Sequence, residues 1–167
     1  MSLSASAESI QVRSIELPDL SLVMALAQRV PAAPHWPDSV WRQMVEKTGP
    51  SRCILVAAGE QQVFGFCVVA YGVDEAELES IVIDPAMQRR GLGRRLLHAA
   101  MQASRQSVAR RILLEVRASN QPAQHLYAQA GFLPTGRRSG YYTDPKEDAI
   151  CMECRLDAET VAGNPAR

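Results

Sequence analysis

Long apolar runs are absent from this chain of 167 residues. No segment approaches the roughly 20 apolar residues that a membrane-spanning helix needs, so the sequence predicts no place in a membrane. The first ten residues, MSLSASAESI, also lack the basic start and apolar stretch of a secretory signal peptide. We therefore expect a cytoplasmic protein.

Lysine is scarce, with only Lys47 and Lys146 in the sequence. Nearly all basic charge is arginine, and 18 basic residues balance 18 acidic ones to a formal net charge of +0. A neutral chain has no general attraction for nucleic acid or anionic lipid, and arginine pairs such as Arg110-Arg111 do not form a long basic face. Arginine suits phosphate contact instead, because its planar fork binds oxygens in pairs.

Metal-site patterns are also missing. Cys151 and Cys154 have the C-x-x-C spacing of some redox and zinc sites, but they lie in a predicted strand, where residues three apart point to opposite faces. We interpret the four cysteines as free thiols in a reducing compartment. His35, His98 and His125 show no metal-ligand spacing, and we expect no metal.

The hydrophobic pattern predicts one domain over residues 1–156, followed by a disordered tail at 157–167 that contains Gly163 and Pro165. Predicted strands cover residues 9–15, 52–58, 62–71, 76–83, 111–116, 132–139 and 147–156. Predicted helices open at Pro18-Asp19, at Asp38 or Ser39, at Gly91 and after the capping residue Asn120. The expected fold is of the α/β (α+β) class, with a mixed central sheet of about six to seven strands and helices on both faces.

Residues 84–94, DPAMQRRGLGR, are the most informative segment. They follow the apolar run Ile81-Val82-Ile83 and open a long amphipathic helix. A strand, a glycine turn and a helix start form an anion site, because the first-turn N–H groups lack partners and the helix dipole is positive there. Gly91 and Gly93 allow close approach of a ligand. The arginines around this turn are Arg89, Arg90 and Arg94. We predict that the segment binds a phosphate or pyrophosphate.

The kind of phosphate ligand is narrowed by what the loop lacks. A dinucleotide fingerprint needs a third glycine where Leu96 stands, and a P-loop needs a Gly-Lys-Ser/Thr triplet that the chain does not contain. The remaining pattern, Gln/Arg-x-x-Gly-x-Gly, resembles the acetyl-CoA loop of the GNAT N-acetyltransferases. The plain alternative is a helix start with solvated arginines. The residues that the resemblance assigns to acetyl-CoA are Arg89, Arg90, Gly91, Leu92, Gly93 and Arg94.

Downstream segments resemble one branch of that family. In order, they are LLEVRASN at 113–120, LY at 126–127, GF at 131–132, YY at 141–142 and EDA at 147–149. They are similar to the RimI-type enzymes, which acetylate the N-terminal alanine of a small-subunit ribosomal protein. The resemblance is strong from Glu77 to Leu156 and weak before it. It implies transfer of an acetyl group to the α-amine of a protein N-terminus.

Glu115 follows the apolar run 112–114 and so ends a predicted buried strand. Burial disfavours the charged carboxylate and makes it a stronger base, and the resemblance implies that the general base stands here. A structural salt bridge, to Arg117 for example, is the alternative. Glu77 and Glu79 lie on one face of the preceding strand. They compete for the role of base, because histone-type relatives place theirs near Glu77, and they could instead hold a positively charged substrate terminus or form a solvated edge.

Tyr127 lies on the same face of a predicted helix as Ala123 and Leu126. This spacing predicts that its side chain is buried, and the simplest role of a buried tyrosine is packing in the core. The resemblance implies that its phenol protonates the departing CoA thiolate, since a tyrosine with a pKa of about 10 carries its proton at neutral pH. The resemblance also implies a cofactor contact at Asn120 and a main-chain N–H donor to the thioester oxygen on the strand at 81–83. The residues of that strand are Ile81, Val82 and Ile83.

Two segments are expected to face the acceptor. Trp36 lies in the proline-rich turn 31–37, and Tyr141 lies in a predicted loop before the last strand. RimI-type enzymes carry an Ala/Phe-Pro-Trp-Ser stretch in the first segment, whereas this chain keeps only the tryptophan. This departure leaves a small-molecule amine or a lysine side chain as alternative acceptors. A non-catalytic acyl-CoA-sensing module is a second alternative, and both a monomer and a homodimer remain open.

Overall fold

The computed structural model describes residues 10–156, and the tail expected at 157–167 lies outside them. The strands are β1 (Gln11–Ser14), β2 (Arg52–Ala58), β3 (Val63–Tyr71), β4 (Glu75–Ile83), β5 (Arg111–Arg117), β6 (Leu133–Thr143) and β7 (Lys146–Arg155). The helices are α1 (Leu20–Arg29), α2 (Asp38–Glu46), α3 (Leu92–Gln106) and α4 (Gln121–Gln129). None of these helices is long and apolar enough to cross a bilayer.

The seven strands form one sheet in the order β1-β2-β3-β4-β5-β7-β6. Within it β4 and β5 run parallel, and the other neighbouring strands run antiparallel. The parallel pair is joined by the crossover helix α3, which a parallel connection requires. The mixed sheet predicted from the sequence is thereby confirmed, with seven strands.

Two hydrophobic cores lie on opposite faces of this sheet. Leu55 and Cys67 pack on the face that α3 covers, while Val56 and Phe66 pack on the face that α1 and α2 cover. The central strands β2 and β3 are therefore buried on both sides, which explains their nearly continuous apolar sequences. The ring of Trp41 on α2 meets Phe66 edge-on, with centroids 5.7 Å apart.

The contact between β4 and β5 is short. Residues 75–77 pair with residues 111–113, and both strands continue beyond this point without pairing to each other. On its other side β4 stays paired with β3, where successive β3 residues face Ser80 and Leu78 and skip Glu79. Glu79 is thus the extra residue of a β-bulge. Because a bulge bends and twists its strand, it directs the end of β4 away from β5.

The segment around Tyr141 is a strand rather than the predicted loop, since β6 extends to Thr143. Its pairing with β7 is irregular, because β6 advances four positions from Arg138 to Tyr142 while β7 advances two. Gly140 adopts a left-handed conformation within this irregularity, with φ of +60°, and its N–H donates to Asp148 Oδ1 at 2.8 Å. Gly140 thus marks a bulge in a strand that is longer than predicted.

A buried acid stabilises the start of α1. Asp19 is 7% exposed, and its carboxylate accepts hydrogen bonds from the Arg13 guanidinium at 2.6 and 3.0 Å and from the Glu16 N–H at 2.8 Å. The bond from Arg13 is the main cause that lowers the pKa of Asp19, and it outweighs the opposing effect of burial. A lowered folded-state pKa means that this stability is present above the unfolded pKa and is lost as the pH falls through the folded value.

We expect Asp19→Asn to lower the free energy of unfolding near neutral pH by about 1–3 kcal/mol, the range for hydrogen bonds to a charged group. The difference from wild type should begin to shrink as the pH falls below about 4, the unfolded-state pKa, and should be lost once the pH passes below the lowered folded-state pKa of Asp19. Urea denaturation across this pH range measures it. Glu60→Gln, at an exposed acid between β2 and β3, is the matched control. A difference that does not change with pH would contradict the assignment.

Candidate active site

The separation of β4 and β5 opens a cleft, along which two cavities lie. The loop cavity, about 390 Å³, is lined by the end of β4, residues of the 87–93 loop and one face of α4. The acid cavity, about 250 Å³, is lined by the α1–α2 connection, β4, β5 and Tyr142, and it contains Glu79 and Glu115. The two cavities meet at Ile81, Asn120 and Tyr127, which line both.

The turn before α3 presents backbone N–H groups to the loop cavity. Arg89 and Gly91 both have left-handed backbones, with φ of +62° and +78°. Glycine adopts this conformation freely, whereas for arginine it is an uncommon, strained geometry that clusters at functional sites. Among the described residues no side chain caps α3, so the first-turn N–H groups at residues 92–94 have no intrahelical partner and remain available to an anion.

The three arginines of this turn are not equivalent. Arg89 lines the loop cavity beside Gly91, Leu92 and Gly93. Arg90 and Arg94 do not line it, although all three arginines are exposed residues.

The last residues of β4 alternate between β3 and the cleft. The Asp84 N–H donates to the Phe64 carbonyl oxygen of β3 at 2.8 Å. Backbone groups of successive strand residues point to opposite sides, so Val82 also faces β3, whereas Ile81 and Ile83 direct their N–H groups into the cleft. The expectation for Val82 is therefore corrected: its backbone pairs within the sheet, and its side chain is buried beneath α1 and α2.

Asn120 and Tyr127 stand on α4 where the cavities meet. The Asn120 side chain caps the helix by accepting a hydrogen bond from the Ala123 N–H at 3.2 Å, which confirms the predicted cap. Tyr127 is buried, and its ring packs against Phe132 with centroids 5.8 Å apart. Burial is the main cause that raises the pKa of Tyr127, so the phenol keeps its proton at neutral pH.

Two of the candidate carboxylates on β4 differ in their partners. Glu79 at the bulge receives a two-point hydrogen bond from Arg52, at 2.6 and 2.8 Å. Glu77 is an exposed residue outside the acid cavity. Partial desolvation raises the pKa of Glu77, and the charges of Glu79 and Glu115 act in the same direction. Glu79 is thus fixed by a cation, while Glu77 is the acid whose charge is disfavoured.

Glu115 faces the acid cavity with a side chain that is 21% exposed. Its carboxylate accepts a hydrogen bond from the Arg138 guanidinium of β6. It also interacts with the phenol of Tyr141, and this hydrogen bond raises the pKa of Tyr141 to about 12. The carboxylate is thus partly exposed, and the salt bridge considered as the alternative is present, with Arg138 in place of Arg117, which pairs with Glu147. No sequence signal identified Arg138, because β7 separates its strand from β5.

The connection between α1 and α2 contributes to the acid cavity, but not through the expected residue, Trp36. Ala32 and Pro34 line the acid cavity, while Trp36 lies outside it, against Trp41 with ring centroids 5.0 Å apart. Trp36 still connects to the site, since the Arg52 guanidinium that binds Glu79 lies 5.9 Å from its ring centroid. Within residues 10–156, no group of three or more His, Cys, Asp or Glu side chains is arranged to hold a metal ion.

The cleft lies between diverging parallel strands, with the unpartnered N–H groups of a helix start at one end and acids at the other, and a buried phenol where the two meet, an arrangement suited to group transfer. The comparison with protein families specifies the class further. The chain belongs to the acetyltransferase (GNAT) family, whose profile matches residues 13–132. It is therefore an acetyltransferase, and enzymes of this family use acetyl-CoA as the acetyl donor.

Individual relatives agree with this family. The chain is 35% identical over 141 residues to a candidate [ribosomal protein bS18]-alanine N-acetyltransferase of Bacillus subtilis, covering 84% of this chain and 92% of the relative. It is 35% identical over 144 residues to the [ribosomal protein bS18]-alanine N-acetyltransferase of Escherichia coli, covering 84% and 94%. The crystal structure of the ribosomal-protein-S18-alanine N-acetyltransferase from Escherichia coli superposes with a TM-score of 0.77 at 31% identity, covering 95% and 99%.

Proposed function

We propose that this enzyme acetylates the α-amine of a protein N-terminus, with acetyl-CoA in the loop cavity and the acceptor in the acid cavity. The observation that carries the proposal is the meeting of the two cavities at Ile81, Asn120 and Tyr127, with Glu115 on the acceptor side. The bacterial relatives that act on the N-terminal alanine of bS18 support a ribosomal-protein acceptor. Such an acceptor would place the reaction in the cytoplasm.

The acceptor class is tested by comparing kcat/KM for alanine-initiated peptides, polyamines and aminoglycosides with the purified enzyme. We expect a peptide to be preferred, because Ala32 and Pro34 on one side and Tyr142 on the other flank the acid cavity. A small amine is the second candidate, since a nourseothricin acetyltransferase structure shares the fold with a TM-score of 0.69 at 25% identity. Preference for an aminoglycoside or a polyamine would overturn the peptide proposal.

The cofactor fits the loop cavity through backbone groups. The N–H groups of residues 92–94 and the Arg89 side chain are suited to the pyrophosphate. Asn120, at the junction, offers a further polar contact. When bound, acetyl-CoA supplies an acetyl group activated as a thioester. The N–H groups of Ile81 and Ile83 point into the cleft and are placed to donate to the thioester oxygen as it gains negative charge.

Proton transfer requires one group on each side of the junction. Glu115 accepts a proton from the acceptor nitrogen, directly or through a water, so that the neutral amine attacks the thioester carbonyl. The C–N bond forms, the C–S bond breaks, and Tyr127 donates its proton to the departing sulfur. Burial raises the pKa of Tyr127, which makes the phenol a weaker acid. Burial also disfavours the charged thiolate and so raises the pKa of the CoA thiol in the same cavity. Because both pKa values move in the same direction, proton transfer from Tyr127 to the sulfur is not opposed by burial.

The loop assignment predicts that Gly93→Asp weakens acetyl-CoA binding severely. A Cβ at this position meets only Leu126 and Ile83 at ordinary contact distances of 3.6 and 3.9 Å, so the fold should tolerate the change, while the new carboxylate repels the pyrophosphate. Calorimetry measures the affinity. Gly136→Asp on β6, where a Cβ meets nothing within 4 Å, is the matched control. Wild-type affinity in folded Gly93→Asp would remove the loop from the cofactor site.

The assignment of the base predicts that Glu115→Gln lowers kcat and flattens the rise of rate with pH, while acetyl-CoA affinity stays close to wild type. A general base contributes roughly 10²- to 10⁴-fold to the rate. Glu77→Gln and Glu79→Gln are the comparison variants on β4. If Glu77→Gln flattens the pH profile instead, the acid with the raised pKa is the base.

The assignment of the acid predicts that Tyr127→Phe lowers turnover by roughly ten- to ten-thousand-fold, the range for losing a general acid. Stability should fall little, since phenylalanine keeps the ring contact with Phe132. The loss should shrink with an acetyl donor whose leaving thiol is more acidic, because its thiolate needs less protonation. Full activity on acetyl-CoA would leave Tyr127 as a packing residue only.

A further inference from the structure

A cation outside the lining of the acid cavity binds the carboxylate that the acceptor must reach. The Arg138 guanidinium binds Glu115 and stacks on Tyr141, with its central carbon 4.6 Å from the ring centroid. Glu115 thus already has a positive partner before any acceptor arrives. An incoming amine needs that same carboxylate, if Glu115 serves as the proposed base.

The ion pair of Arg138 is built differently from the neighbouring pair between Arg52 and Glu79. Arg52 and Glu79 are 22% and 18% exposed, and two hydrogen bonds hold them together. Arg138 is 56% exposed and lies on the outermost strand of the sheet, beside its irregular segment. A long side chain in this position can move into solvent at modest cost, because more than half of it is exposed already.

The acceptor and its product differ in charge at the nitrogen that meets Glu115. A free α-amine has a pKa of about 7.7–8.0, so it arrives near neutral pH mainly as an ammonium ion. The acetylated product is a neutral amide. The ammonium ion and Arg138 repel each other when both lie beside the Glu115 carboxylate. The neutral amide does not repel Arg138, so the ion pair between Arg138 and Glu115 can form again.

We infer that Arg138 is a positioning residue that holds Glu115 in the free enzyme, is displaced by the ammonium group of the acceptor, and returns when acetylation removes that charge. This inference rests on the proposed function of the acid cavity. Arg138 competes with the substrate but not with the product. It therefore weakens acceptor binding slightly and favours release of the acetylated product.

The test compares an alanine-initiated hexapeptide with its N-acetylated form, titrated by calorimetry near neutral pH into the enzyme saturated with CoA. Arg138→Gln should tighten binding of the free-amine peptide by about two- to five-fold, the range that a partly exposed ion pair supports. It should change binding of the acetylated peptide by less than about two-fold. Arg138→Lys retains the competing charge and should stay close to wild type for both peptides.

Arg137→Gln is the matched control, because Arg137 is 60% exposed and pairs with Asp148 at 2.7 Å rather than with Glu115. A double-mutant cycle adds a readout that a purely structural role would not move. In a Glu115→Gln background, Arg138→Gln should no longer change affinity for the free-amine peptide, since the ion pair is already lost.

The inference is overturned if Arg138→Gln weakens or does not change binding of the free-amine peptide, or tightens both peptides alike. It is also overturned if the tightening persists in the Glu115→Gln background. If the acceptor screen favours a small amine, the peptide proposal fails separately. The same titrations then use that amine and its acetylated product, because the exchange depends on the charge of the nitrogen.

Discussion

The early separation of β4 from β5 is the constraint on which the whole site depends. A sheet paired along its full length would satisfy these backbone groups and leave no space for a ligand. The bulge at Glu79 turns β4 away while its pairing with β3 is kept. Arg52 fixes the bulge through Glu79 and lies beside Trp36, so one guanidinium connects the bent strand to the α1–α2 connection. The cleft is therefore part of the sheet architecture rather than of a mobile loop.

Backbone donors at both ends of the cleft follow from this geometry. Ile81 and Ile83 lose their neighbours on the β5 side, and residues 92–94 begin a helix that no described side chain caps. Donors held by a strand and a helix do not need to reorganise when charge develops on a ligand, which is the basis of electrostatic stabilisation in enzymes. The strained backbone at Arg89 belongs to the same arrangement, since this residue lines the loop cavity.

Local signals in the sequence predicted most of the elements and several site residues. The cap at Asn120, the glycine turn before α3 and the burial of Tyr127 each depend on residues a few positions apart, and the structure has all three. Non-local relations escaped prediction. The strand order β5-β7-β6 brings Arg138 to Glu115, and no spacing along the chain indicates this. The alternation of backbone groups that excludes Val82 from the cleft depends on how β4 pairs with β3.

The formal net charge of +0 is matched locally in the acid cavity, because Glu79 is paired with Arg52 and Glu115 with Arg138. Arginine and helix-start N–H groups lie at the loop cavity, while Glu79 and Glu115 lie in the acid cavity with Glu77 nearby. On the proposed function, an anionic donor binds at the loop cavity and a cationic acceptor replaces Arg138 at Glu115, so that the two meet at Tyr127. Arginine is suited to both ends of the cleft, because a guanidinium group can bind a phosphate at the loop cavity and a carboxylate at the acid cavity. On the proposed function, acetylation removes the charge of the acceptor, so the interaction that holds the substrate at Glu115 does not retain the product.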